Sequence, residues 1–231
     1  MDPYKSRCGI KVAVALILAV TLVCVVFQLQ LNLGHDKMQY NVVVEATFGT
    51  PFGERHSIGS GVVISDTGMI LTAAHVINGA RSVRITLHDG RVFDTDEFYT
   101  DAERDVGFVD LELPYGSIDF MPLSESDDIE KGCLVVHVGN PNGIWTDTIV
   151  RGKIYNPHFF RLSLGKDIEF IVVKMEIRPG CSGGGVYLGD ELIGIVKAYW
   201  DGAAIIIPSD VCRLVLEKYR VEKESTVVDM Y

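Results

Sequence analysis

The chain has 231 residues, 48% hydrophobic and 23% charged, and its 21 Lys and Arg against 31 Asp and Glu leave a formal net charge of −10. That composition excludes extensive disorder, and the acidic balance excludes the basic surface of a nucleic-acid binder. Five cysteines with no CxxC pair exclude a dense disulfide framework and a zinc ribbon.

The mean hydropathy of +0.22 is high, and its excess is local. Val12 to Phe27 carries no charge, and Leu29, Leu31 and Leu33 prolong the run. As a helix, residues 12–33 would span roughly 33 Å, enough for the hydrocarbon core of a bilayer. Lys5, Arg7 and Lys11 precede it, so the positive-inside bias predicts a cytoplasmic N-terminus (1–11) and an exported remainder. A cleaved signal peptide is the rival reading, but no small-x-small site follows the run. The expectation is a single transmembrane signal anchor followed by a linker over 34–40.

Beyond Gln39 the texture changes to short apolar runs punctuated by Gly and Asp. Strands are predicted over Asn41–Thr47, Ser57–Ile64, Met69–Thr72, Ser82–Leu87 and Val106–Leu111. A second group covers Cys133–Val138, Trp145–Tyr155, Ile168–Val173, Gly184–Tyr187, Leu192–Tyr199 and Ala203–Ile207. The polar stretch Ser117–Lys131 separates the two groups. So many strands with almost no helix between them mean an all-β sandwich or barrel. One helix is predicted over 209–220, capped by Ser209, with Val211, Leu214, Val215 and Tyr219 on its buried face. A tail over 221–231 closes the chain. Asp94–Asp105 opens like a calcium loop, but Phe98 and Tyr99 stand where Asp, Asn or Gly is needed, so it reads as a solvated hairpin.

Three motifs carry chemistry. Leu71-Thr72-Ala73-Ala74-His75-Val76 places a histidine just past an apolar strand. Asp105 opens another strand, and Gly180-Cys181-Ser182-Gly183-Gly184 is a glycine-rich turn around a serine. His, Asp and Ser in that order is the arrangement of chymotrypsin-like serine peptidases. A serine hydroxyl is a poor nucleophile unless a base takes its proton, and an imidazole is suited to that exchange near neutral pH. Asp105 would orient His75, and the N–H groups of Gly180 and Ser182 would form an oxyanion hole. Asp101, Glu103 and Asp110 compete with Asp105, and Cys181 competes with Ser182; strand position and the Gly-x-Ser-Gly-Gly spacing select Asp105 and Ser182. The other histidines (His35, His56, His88, His137 and His158) are scattered, without a metal-ligand partner at useful spacing.

From about Asn41 to Arg220 the chain resembles the protease domain of the HtrA/Deg family. The resemblance rests on Gly59-Ser60-Gly61-Val62-Val63-Ile64 with Leu71–Val76, on Leu87-His88-Asp89-Gly90-Arg91 and on Val138-Gly139-Asn140-Pro141-Asn142-Gly143. Arg178–Gly184 and Ile207-Pro208-Ser209-Asp210 extend it. It implies two orthogonal six-stranded β-barrels of chymotrypsin type, over about 41–116 and 132–208, followed by the helix. It also implies a serine endopeptidase acting on polypeptides in extracytoplasmic quality control or regulated cleavage, with no metal or organic cofactor, and is compatible with a homotrimer. Three departures stand out: Cys181 where the family has Asn or Asp, Gly185 where it has Pro, and Gly107 where it has Ala. Eleven residues after Arg220 are too few for the PDZ domain many relatives carry. The alternatives are a protease-fold scaffold that does not cleave, or a viral or phage processing protease.

Substrate preference is less legible. Glu176, six residues before Ser182, would favour a basic side chain if buried at the pocket base, unless Lys197 neutralises it or it points to solvent. Ile177, Lys197, Ala198 and Tyr199 are the other candidate wall residues. Cys133 and Cys212 read as buried free thiols, and Cys181 beside the serine as a reactive one.

Overall fold

The computed structural model describes residues 17–23, 34–124, 129–143, 147–163 and 166–228. Residues 17–23 form a helix, α1, with exposed side chains. Among the described residues no helix is long and apolar enough to cross a membrane, and most of the predicted anchor over 12–33 lies outside them.

From Lys37 onward the chain forms one compact unit built of two β layers. The first comprises β1 (Asn41–Thr50), β2 (Gly53–Val63), β3 (Met69–Ala73), β4 (Ser82–Leu87), β5 (Val92–Thr95), β6 (Phe98–Asp101) and β7 (Val106–Asp110). They pair in the order β5-β4-β1-β2-β3-β7-β6. The predicted six-stranded closed barrel is therefore an open seven-stranded sheet. Its edges, β5 and β6, are four residues each, and Asp94, Asp96 and Glu97 put three acidic side chains at the seam. Short, charged edges are poor pairing partners. The end of β5 and all of β6 fall in the stretch 94–105 read as a solvated hairpin.

The second layer comprises β8 (Leu134–Gly139), β9 (Thr148–Ser163), β10 (Lys166–Lys174), β11 (Gly185–Leu188), β12 (Glu191–Trp200) and β13 (Ala203–Pro208), closed as β10-β13-β12-β11-β8-β9. This is the six-stranded barrel predicted. The β9–β10 hairpin is longer than the expected runs because Pro157 does not end β9. Asn156 pairs with Val172 and Phe159 with Phe170, so Pro157 and His158 face the single residue Ile171 in a bulge, where a missing N–H is tolerated. Trp145, placed in that strand by the sequence, lies outside the described residues.

Side-chain alternation sorts the core. Val42, Val44, Ala46 and Phe48 of β1, with Val83, Ile85 and Leu87 of β4, fill the inside of the first layer. Ile171 and Val173 with Ile193 and Ile206 fill the barrel. A third cluster joins the layers through Leu71, Phe108, Val138, Phe170, Ile195 and Ile207. The stretch read as a polar connection is docked: the Met121 N–H donates to Val63 O at 2.9 Å, and Leu123 bridges Leu192.

The single turn α2 (Ala74–Ile77) follows β3, and the last helix is α3 (Ser209–Val228). Val215 is buried and Val211 and Tyr219 pack against the core as predicted, but Leu214 is exposed and Cys212 and Leu216 complete the buried face instead. The Ser209 hydroxyl donates to Ser124 O at 3.1 Å and ties the helix start to the connection between layers. The helix also passes its predicted end at Arg220, because Lys223 binds Asp110 at 2.8 Å and Glu112 at 3.0 Å.

Candidate active site

His75 lies in the single turn α2, directly after β3. Asp105 sits in the turn before β7, the neighbour of β3, so sheet order brings the two together. Asp105 Oδ1 accepts the His75 backbone N–H at 2.9 Å, and His75 Nδ1 lies 3.1 and 3.0 Å from Oδ1 and Oδ2. The Asp105 carbonyl accepts the Ala74 N–H at 3.0 Å. These bonds hold Asp105 in the left-handed region at φ +62°, a conformation that costs a non-glycine residue roughly 1–2 kcal/mol. Burial alone would raise its carboxyl pKa, but the hydrogen bonds and charges of His75 and Lys197 outweigh it and hold the group below the usual carboxylate range. Two of the competing carboxylates are engaged elsewhere, Asp101 with Arg104 and Asp110 with Lys223.

Ser182 belongs to the second layer, yet its turn is fastened to the first. Its carbonyl accepts the Ser60 N–H at 2.8 Å, and the Gly183 N–H donates to Val196 O at 2.7 Å. At Gly183, φ is +84° and a Cβ would lie 2.2 Å from Ser60 O and 2.8 Å from Ala73 N. Only glycine lets the turn press this closely on the strand that leads to His75.

The same turn orients its N–H groups. A trans peptide points its C=O and N–H in opposite directions. Pro179 O accepts the Asn142 N–H at 2.8 Å, so the Gly180 N–H of that plane faces away from the Asn140–Asn142 turn. Cys181 O accepts the Gly184 N–H at 3.0 Å, which turns the Ser182 N–H away in the same manner. Neither Gly180 nor Ser182 donates its N–H to a backbone carbonyl outside the regular elements among the described residues.

Ser60 joins these parts. Its hydroxyl donates to Gly180 O at 2.7 Å and accepts the Asn140 N–H at 2.8 Å, while its carbonyl accepts the Thr72 hydroxyl at 2.7 Å. In the sequence Ser60 stands out only as part of the Gly59-Ser60-Gly61 motif. Its role depends on contacts 80 and 120 residues away.

His137, set aside as scattered, is wholly buried below the serine turn. Its position on the Val135 face of an alternating strand was the available signal. Its Nδ1 is 2.9 Å from Gly185 O, so Nδ1 carries the proton and Nε2 presents a lone pair that has no partner among the described residues. Burial pushes this imidazole down to about 4, against a smaller upward pull from the Gly185 carbonyl. In the unfolded chain it would titrate near 6.5. The stability it confers is complete above about pH 6.5 and is lost as pH falls toward 4. Urea unfolding should show a loss of about 2 kcal/mol between pH 7.5 and pH 5 from this group. His137→Gln, which can still donate to Gly185 O, should flatten that difference; an unchanged difference would assign the acid sensitivity to other groups.

The specificity candidates are rearranged. Glu176 is exposed, so it forms no buried pocket base that would favour a basic substrate side chain. Ile177 is buried in the barrel core, not on a wall. Lys197 ion-pairs with Asp105 and not with Glu176. Ala198 lines a groove with Lys197, Phe159, Phe170 and Trp200, and Tyr199 is exposed beside it. Cys181 points into the barrel core with its thiol pKa raised by burial, so it is neither a rival nucleophile nor a reactive thiol. Cys212 is buried and free, while Cys133 is free but only half-buried, because it stands in the turn before β8.

A closed six-stranded barrel against a second β sheet, with the His75–Asp105 pair on one and the serine turn of the other fastened to Ser60, is the architecture of the chymotrypsin-like class of peptidases. The model of the trypsin-like peptidase domain matches residues 59–195, and the chain belongs to that family. Within it, the chain is similar to the putative serine protease HhoA of Synechocystis sp., with 36% identity over 173 residues, 71% of this chain and 44% of the relative. It is also similar to the periplasmic pH-dependent serine endoprotease DegQ of Escherichia coli, with 32% identity over 169 residues, 70% of this chain and 37% of the relative. Among solved structures, the HtrA-type protease AlgW with tripeptide superposes with a TM-score of 0.66 at 28% identity, covering 78% of this chain and 60% of that one. The chain thus spans less than half the length of these two curated relatives.

Proposed function

We propose that the chain is an HtrA/Deg-type serine endopeptidase that cleaves polypeptides through an acyl-enzyme, with Ser182 as nucleophile, His75 as general base and acid, and Asp105 as the orienting carboxylate. The observation that carries the reading is the fastening of the serine turn to Ser60 and against Ala73, two residues before His75, with the Gly180 and Ser182 peptide planes already turned. In the first step Ser182 Oγ forms a bond to the substrate carbonyl carbon while its proton passes to His75. The carbonyl electron pair moves onto oxygen, where the two N–H groups stabilise it. On collapse the C–N bond breaks and His75 returns the proton to the departing amine. Water then repeats the sequence on the ester, releasing the acid and restoring Ser182. In this reading the apolar N-terminal segment over 12–33 anchors the protein, the peptidase works on the exported side, and the working assembly is a homotrimer.

The test is covalent labelling of the full chain by a fluorophosphonate probe, with Ser182→Ala as control. The expected result is labelling of the wild type alone, together with cleavage of an unfolded protein substrate. Folded wild type that is neither labelled nor cleaves under any condition would sink the peptidase reading in favour of a scaffold.

A further inference from the structure

Asp105 holds more donors than a His–Asp pair requires. Lys197 Nζ donates to Oδ2 at 2.6 Å, and the lysine side chain is 28% exposed against 9% for the aspartate. Lys197 reaches that position through a bulge in β12. Val196 pairs with Ile206 and Ala198 with Ile205, so Lys197 is the extra residue between them. A bulge re-aims a side chain that regular pleating would send elsewhere. The aliphatic stem lies along the groove wall with Phe170, whose ring centre is 5.8 Å from Nζ.

We infer that Lys197 is a positioning residue for the reaction proposed above, one that fixes the Asp105 carboxylate and couples its own charge to the proton His75 takes up. The inference rests on that reading of His75 and Asp105. Two effects follow from a fixed ammonium at Oδ2. It locks the carboxylate's rotation, leaving Oδ1 to the His75 backbone N–H and both oxygens facing Nδ1. Its charge also opposes the positive charge the imidazole gains when it takes up a proton a few ångströms away.

The other charged groups around the pair offer no substitute. Asp101 and Glu103 stand on the turn that carries Asp105, and Arg104 is paired with Asp101 there, with Lys218 of α3 3.8 Å from the same carboxylate. Arg161, Lys174 and Asp201 line the groove beyond Lys197. Cys181, within the serine turn, and His137, against Gly184 of that turn, are buried. Among the described residues, Lys197 is the cation other than His75 that pairs with Asp105.

The experiment follows the rate of fluorophosphonate labelling against pH for wild type, Lys197→Gln, Lys197→Met and Lys197→Arg. Glutamine keeps a donor and removes the charge, methionine removes both, and arginine restores both. The acid limb should move up by about one pH unit in the Gln and Met variants and stay at its wild-type place in Arg. The plateau should also fall by about tenfold in Met, where Asp105 loses a donor. A purely structural role would lower the plateau and leave the limb in place; coincident limbs in all four proteins overturn the inference. Absence of wild-type labelling is the failure of the peptidase reading instead. In that event the pH dependence of the His75 ring resonances, measured by NMR in the same full-length proteins, decides. A rise in the Gln and Met variants upholds the electrostatic coupling, and no rise overturns it.

Discussion

Asp105→Asn is expected to lower kcat/KM by about ten-thousand-fold while the protein stays folded. A neutral amide cannot compensate an imidazolium, and its NH2 group facing Nδ1 would favour the wrong histidine tautomer, the route by which loss of the triad carboxylate costs about that much in serine peptidases. This site makes the replacement worse. One carboxylate oxygen accepts the His75 backbone N–H at 2.9 Å and the other the Lys197 ammonium at 2.6 Å. Whichever way the amide is turned, its NH2 meets a donor and its oxygen satisfies only one partner. A buried donor left unmatched costs about 1–3 kcal/mol, so the melting temperature should fall as well. Steady-state hydrolysis of a peptide substrate beside a thermal melt separates the two losses. A folded variant retaining more than a tenth of wild-type kcat/KM would remove Asp105 from the assignment.

Gly180→Ala is expected to cost about a hundred- to thousand-fold in kcat, the range seen when one oxyanion donor is lost. The backbone at Gly180 has φ +95°, and an added Cβ would sit 2.4 Å from Asn142 N and 2.5 Å from Asn140 O. Both are backbone atoms, which cannot rotate away as a side-chain end can. Relief requires the 140–142 turn or the serine turn to move. Either motion breaks the Asn142 N–H bond to Pro179 O, which orients the Gly180 N–H. KM should change little, since a donor aimed at the developing oxyanion acts on the transition state. Ser182→Ala under the same assay defines the floor, and a Gly180→Ala variant within fivefold of wild type would place the oxyanion donors elsewhere.

Local chemistry made part of this molecule readable without coordinates. Alternating apolar residues at Val42, Val44 and Ala46, or Val83, Ile85 and Leu87, specify a strand with one buried face wherever it pairs. The glycine spacing around Ser182 and the turn around His75 are likewise local requirements, which is why those motifs and the trypsin-like family could be identified from the chain alone. Other features have no local signature. The first layer stays open because β5 and β6, only two residues apart in the chain, pair with β4 and β7 and not with each other, which the sheet order alone reveals. Glu176 is exposed and Ile177 buried because of how the chain leaves β10, where spacing from Ser182 suggested a pocket base. His137 is neutral because burial removes its water, and Ser60 matters because it touches Gly180 and Asn140 from the opposite layer.

Lys197 shows the division most plainly. Its sequence neighbourhood placed it on a pocket wall, and a strict period of two would assign its direction by parity. One residue of bulge in β12 re-aims it, and its ammonium lands on a carboxylate 92 positions away. The sequence by itself determined the strands, the class of fold and the identity of the three candidate residues, because these depend on side-chain alternation and on short-range backbone geometry. Only the tertiary structure decided how the layers close, which acids are buried and which cation faces Asp105, because those depend on contacts between segments far apart in the chain.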